Sequence, residues 1–249
     1  MSDLAGQYID AAISLLTRVR DEEAEGIERA AEVLARTVRD GGRIFAFGAG
    51  HSSLAAQDVV YRAGGLVLMN LLAIPGVTGV DLIPVHLSSA LERVTGLAST
   101  VLDASPARSG DLLFVISLSG RQVMPVELAI HARERGLTVI GVTSLAYPSA
   151  VASGHPSGTF LKDQCDIVLD NKIAVGDGEL TAPGADTTFG PVSTITTVAL
   201  MQSVVANAVG KLAGAGLAPP LFRSGNIDGG MDRNAKLMAD NRERVFYTS

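Results

Sequence analysis

Three short stretches of the chain gather small hydroxyls, two of them together with glycines, just ahead of helix-forming runs. They are residues 48–53 (Gly-Ala-Gly-His-Ser-Ser), residues 117–121 (Ser-Leu-Ser-Gly-Arg) and residues 191–197 (Pro-Val-Ser-Thr-Ile-Thr-Thr). A phosphate needs several donors converging on one point. A helix N-terminus offers free N–H groups and a favourable dipole, Ser and Thr add hydroxyls without bulk, and Gly lets the backbone come close. The residues singled out on this ground are Gly50, His51, Ser52 and Ser53, then Ser117, Ser119, Gly120 and Arg121, then Ser193 and Thr194. Thr143-Ser144 is a weaker fourth candidate. Read one at a time, the same stretches also serve as ordinary helix caps.

Two other phosphate chemistries fit less well. Gly48-Ala49-Gly50 is part of a dinucleotide fingerprint, but Ser53 stands where the third glycine belongs, and Leu68, Met69 and Asn70 stand where an acid is expected. No lysine of the nucleoside-triphosphate loop follows either glycine turn. A metal site is not expected, because no two histidines have helical ligand spacing and Cys165 is the single cysteine. Cys165 reads as a small buried hydrophobe. No cofactor is implied.

The four histidines divide by position. His51, inside the first loop, reads as a contact to phosphate or to a ring hydroxyl, or as a loop side chain facing water. His86, just before Ser88-Ser89, suits a ring-opening base or a group that orients a neighbouring carboxylate. His155 lies in a Gly/Pro-rich loop, and His131 in mid-helix reads as structural.

The elements around these loops follow from periodicity. Residues 3–39 read as helical, with an apolar stripe from Leu4 to Val38. Strands are expected at residues 43–47, 67–69, 112–116, 137–142 and 166–169, and helices at 52–63, 88–102, 123–135 and 191–214. Residues 66–86 carry the long loop expected after the short second strand. Strand, loop and helix alternate, which predicts an α/β fold: an open parallel sheet flanked by helices. Ligands bind outside the carboxyl ends of the strands in such sheets, and the Ser/Gly loops fall there.

Composition agrees with that class. The chain has 249 residues, 47% hydrophobic but only 4% aromatic and without Trp, so its core is built from Ala, Val, Leu and Ile, as parallel strands under Ala-rich helices require. The net charge of −6 disfavours nucleic acid as a partner. The apolar run 192–209 is interrupted by Ser, Thr, Gln and Asn, and reads as a buried helix rather than a membrane span. With one cysteine and no basic-then-apolar leader, the expected compartment is the reducing cytoplasm.

The strings Phe47-Gly48-Ala49-Gly50-His51-Ser52 and Ser117-Leu118-Ser119-Gly120-Arg121 resemble the SIS (sugar isomerase) domain family. Tyr61-Arg62-Ala63-Gly64-Gly65, Leu91-Glu92-Arg93, His155-Pro156-Ser157-Gly158 and Asn226-Ile227-Asp228-Gly229-Gly230 resemble its UPF0309 subgroup, over nearly the whole chain. The resemblance implies a flavodoxin-like three-layer sandwich that binds a phosphorylated sugar. It implies an N-terminal helical extension (1–40), a SIS domain (41–214) and a C-terminal tail (215–249) packed on the domain or on a neighbouring subunit. It also implies a homo-oligomer, dimer or tetramer, with its site at the subunit interface.

A second resemblance, to N-acetylmuramic acid 6-phosphate etherase, concerns mechanism. It matches that enzyme's acids to Asp58 and Glu92, with Asp58 one methylene shorter than the etherase's glutamate. With His86, these are the expected catalytic residues. The reaction implied is elimination of the C3 substituent of an N-acetylhexosamine 6-phosphate such as N-acetylglucosamine 6-phosphate. One acid would take the C2 proton and the other would protonate the departing oxygen. Aldose–ketose isomerisation in the same site and a non-catalytic phosphosugar sensor are the alternatives.

Overall fold

The computed structural model describes residues 3–81, 84 and 86–247. Residues 82, 83 and 85 of the long loop expected over 66–86 lie outside the described residues. Five strands form one sheet: β1 (Ile44–Gly48), β2 (Met69–Leu71), β3 (Leu112–Ile116), β4 (Thr138–Thr143) and β5 (Ile167–Asp170). Their order is β2-β1-β3-β4-β5, and every pairing is parallel. Eight α-helices surround the sheet among the described residues: α1 (Leu4–Glu22), α2 (Ala24–Arg39), α3 (Ser52–Asp58), α4 (His86–Leu91), α5 (Leu97–Ala104), α6 (Val123–Glu134), α7 (Ser193–Gly214) and α8 (Gly230–Asp240).

The side chains of β1 and β3 alternate between two cores, as a strand buried on both faces must. Ile44, Ala46, Leu112 and Phe114 face one core with α2, α3 and α7. Phe45, Phe47, Leu113 and Val115 face the other with α5 and α6. The result is a three-layer sandwich, as expected. Ala30, Ala31 and Leu34 of α2 are fully buried in the first core, so this helix belongs to the sandwich itself. α7 is long and apolar enough by composition to cross a membrane, but Leu200, Met201, Val204 and Ala208 on it are fully buried in the protein core.

Several element boundaries differ from the periodic reading. The expected helix 3–39 breaks at Glu23, which ends α1 and starts α2. Glu23 pairs there with Lys172 beyond β5, at 2.6 Å. The helix expected over 88–102 divides at Gly96, whose left-handed backbone starts α5. The N–H groups of Gly96 and Ser99, left without helical partners at the start of α5, donate to the Glu127 carboxylate at 2.7 and 3.1 Å, a cap supplied from α6. Helix α3 stops at Asp58, and Tyr61 then takes a φ of 47°. The C-terminal segment fastens on the edge beside β2: buried Asn70 donates to the carbonyl of Arg244 at 2.9 Å and accepts from the N–H of Phe246 at 2.7 Å.

Candidate active site

The sheet order reverses direction between β1 and β3. In open α/β sheets that reversal opens a crevice at the carboxyl ends of the two strands. A cleft of about 570 Å³ lies there. The loop after β1 leads into α3 and the loop after β3 leads into α6, on opposite faces of the sheet. The two serine loops therefore meet at the mouth of the crevice.

Each loop is shaped by a glycine that has no room for a side chain. A Cβ on Gly48, the last residue of β1, would run into the backbone of Ser52 and lie 2.7 Å from the N atom of Ser53. The first turn of α3 can thus press against the strand end. Gly120 has φ 58°, and a Cβ there would meet Thr143 Oγ1 at 2.8 Å. Its carbonyl accepts from the N–H of Leu161 at 2.7 Å, which ties the second loop to the segment beyond β4.

The cleft brings together most of the expected phosphate-binding residues. Gly50, His51 and Ser52 line it from the first loop, and Ser117, Ser119 and Arg121 from the second. Ser193 and Thr194 line it from the start of α7. Arg121 Nε is buried and, among the described residues, has no hydrogen-bond partner. An orphaned buried donor on a cation costs free energy until an acceptor arrives.

Glu92 also lines the cleft. It follows α4, and its N–H donates to the carbonyl of Ser88 at 3.0 Å. Its own carbonyl accepts from the N–H of Met124 in α6 at 2.9 Å. The side chain is half-buried, and among the described residues nothing donates a hydrogen bond to its carboxylate. Desolvation raises its pKa above the ordinary glutamate value, against a smaller opposing pull from Arg93. Such a carboxyl group can both take a proton and give it back.

The structure places other expected residues elsewhere. Asp58, matched to the first of the etherase's two acids, does not line the cleft. Its carboxylate is paired with Arg62 on the next turn and accepts from Gln202 Nε2 of α7 at 2.7 Å. His86, the first residue of α4, is exposed and likewise outside the lining. Ser53 is fully buried. Its hydroxyl donates to the Gly50 carbonyl at 2.6 Å and accepts from the N–H of Gly79 at 3.0 Å, so it shapes the loop instead of facing the cleft. Gly120 is buried behind the lining residues. Thr143 and Ser144 are buried too, and their hydroxyls bond to the carbonyls of Leu118 and Ile173. His155 bonds to Ser157 at 2.8 Å and His131 to Asp103 at 2.8 Å, both away from the cleft. The described residues contain no cluster of three potential metal ligands.

Tyr147 and Asp177, which the sequence reading passed over, also line the walls. Asp177 carries the only local signal that could have drawn attention to it, a place between two glycines in an irregular stretch.

Comparison with known proteins agrees with this architecture. The family model described as "SIS domain" matches residues 7–144. The chain belongs to the SIS-domain family. Within it, the chain is 65% identical over 243 residues to a UPF0309 protein of Streptomyces coelicolor, covering 98% of this chain and 97% of that protein. A UPF0309 protein of Shouchella clausii is 34% identical over 241 residues, covering 97% and 98%.

Among solved structures, phosphoheptose isomerase GmhA from Neisseria gonorrhoeae superposes with a TM-score of 0.58 at 18% identity, over 83% of this chain and 97% of that one. The NanR protein of Vibrio vulnificus, complexed with ManNAc-6P, superposes with a TM-score of 0.54 at 17% identity, over 96% and 69%. At these identities the superpositions establish the shared fold.

Proposed function

We propose that the cleft binds a sugar phosphate through Ser52, Ser117, Ser119 and Arg121, and that Glu92 is the base that removes the proton at C2. Glu92 is the observation that carries the reading: a half-buried carboxylate opens on the same cleft as the Arg121 Nε, and among the described residues neither has a hydrogen-bond partner. The substrate class is an N-acetylhexosamine 6-phosphate, N-acetylglucosamine 6-phosphate being the first to try. The reaction is elimination at C3.

The chemistry of the sugar decides between elimination and isomerisation. In the open-chain form the C1 aldehyde acidifies C2. When Glu92 takes that proton, the electron pair forms a C1–C2 enol. With a hydroxyl at C2, return of the proton to C1 gives a ketose. With an acetamido group at C2 there is no hydroxyl to become the ketone. The pair then either recaptures the proton at C2 or expels the oxygen at C3, giving a C2–C3 double bond conjugated to the aldehyde. Asp58 is engaged by Arg62 and Gln202, so the protonated Glu92 itself is the nearest assigned acid for the departing oxygen, which leaves as water or as an alcohol.

An aldose–ketose isomerase is the second reading, favoured by the fold shared with phosphoheptose isomerase and by the single assigned base. The NanR superposition makes a sugar-phosphate sensor the third. The exposed Ile9 and Ile13 on α1 support the homo-oligomer as part of this reading.

Incubation with N-acetylglucosamine 6-phosphate tests all three. A new ultraviolet absorbance with release of water is expected. A ketose phosphate from a 2-hydroxy sugar phosphate, with no unsaturated product from the amino sugar, would install the isomerase. Tight binding of either without turnover would install the sensor.

A further inference from the structure

α7 begins at the cleft, and the sequence marks its first residues as a third seat for phosphate. That seat is filled from within the chain. Asp177 Oδ1 accepts from the N–H groups of Val192 and Ser193 at 3.2 and 3.0 Å, and Oδ2 accepts from the Ser193 hydroxyl at 2.6 Å. The residue reaches the helix from 15 positions away along the chain, so this is no local cap. Asp177 holds a φ of 52°, in the left-handed region that Asp and Asn tolerate better than most residues. The preceding residue is pinned as well, since the N–H of Gly176 donates to Tyr147 Oη at 3.1 Å. Both Tyr147 and Asp177 line the cleft.

A carboxylate with two N–H donors and a hydroxyl donor at the start of a 22-residue helix makes the contacts that a phosphate oxygen pair would make there. We infer that Asp177 is a specificity residue. It is a resident anion that occupies the α7 terminus, so that the cleft accepts one phosphoryl group, at the Ser52–Ser117–Ser119–Arg121 end, and repels a second. This rests on the phosphosugar reading above, and it narrows the ligand to monophosphates.

The test is calorimetric titration of the full chain with inorganic phosphate, comparing wild type with Asp177→Gly and Asp177→Asn. Both replacements suit a positive φ. Wild type is expected to bind one phosphate per chain. Asp177→Gly is expected to bind two, and Asp177→Asn two with a weaker second site, because its amide oxygen still competes for the donors. One site in wild type and still one in a variant that melts cooperatively overturns the inference, as do two sites in wild type.

If Asp177→Gly does not fold, the Asn variant decides by the same criterion. No binding by wild type with one phosphate bound by Asp177→Gly would uphold Asp177 as the resident anion and overturn the phosphate assignment of the serine loops. One site in wild type and one in the variants would do the reverse. No binding by any of them overturns both.

Discussion

A 2.7 Å hydrogen bond from Gln202 Nε2 to Asp58 Oδ2 joins α7 to the end of α3, and neither residue lines the cleft. The acid that the etherase resemblance matched to catalysis is used here to hold two helices of one layer together. Replacing Asp58 with Asn keeps an acceptor for Gln202 and loses only a surface ion pair with Arg62, which is worth about 0–1 kcal/mol. Asp58→Asn is therefore expected to turn over substrate within a few-fold of wild type and to melt within a few degrees of it. A loss of turnover of roughly 100-fold or more at unchanged stability, on the scale of a general acid, would return Asp58 to the active site.

Glu92→Gln is expected to separate stability from activity. Its carboxyl pKa is raised by burial, so the folded state binds the proton more tightly than the unfolded state. Stability from this group is fully present below the ordinary glutamate range and is lost as pH rises through the raised folded value. The Gln variant should melt higher than wild type at neutral pH, and the gain should vanish in acid. Turnover should fall by about 10²–10⁴-fold, with sugar-phosphate affinity retained. In wild type, the acidic limb of the rate profile should lie above the usual glutamate value. Melting curves and initial rates across pH check both parts.

Arg121 is expected to contribute to binding through its Nε, which has no partner among the described residues. Arg121→Ala should weaken sugar-phosphate affinity by about 2 kcal/mol, roughly 30-fold, as for a hydrogen bond to a charged group. It should leave stability unchanged or higher, because an unsatisfied buried donor is removed. Calorimetric affinity and a melting curve measure the two effects. A stability loss without an affinity loss would make Arg121 a structural residue.

Gly120→Ala should destabilise the protein by about 2 kcal/mol. The position needs a left-handed backbone, which costs a non-glycine residue about 1–2 kcal/mol, and the added methyl group would also press on Thr143 Oγ1. Urea denaturation reads the change. A variant as stable as wild type would mean that the loop can adopt another path.

Cys165 should be nearly inert in the native protein. Burial pushes its thiol up to about 12, so little thiolate exists at neutral pH. A chromogenic disulfide reagent is expected to label this partly buried thiol far more slowly than an exposed cysteine. Rapid stoichiometric labelling under native conditions would contradict the packing around it.

The composition, the periodicity of the strands and the two Ser/Gly strings carried the parallel sheet, its three layers and the place of the two Ser/Gly loops at the strand ends, because each is written in contiguous residues. A strand buried on both faces reads as an apolar run, and a loop that turns a strand into a helix needs glycine where backbones touch, as at Gly48 and Gly120. The breaks at Glu23 and Gly96 were not legible in the same way, since what holds each of them is a side chain from a distant segment: Lys172 for one and Glu127 for the other.

Which polar residues face the cleft was likewise decided only by tertiary structure. Ser52 and Ser53 are neighbours of one type, yet one lines the cleft and the other is spent inside its own loop. Asp58 and Asp177 are both carboxylates, and contacts far away in the chain direct the first away from the cleft and bring the second to it. Sequence by itself determined the kind of fold and that glycines and small hydroxyls gather in loops at its strand ends, because local geometry requires those residue types. The free or engaged state of each carboxylate followed from hydrogen bonds between residues far apart along the chain, and such partners meet only when the sheet is assembled.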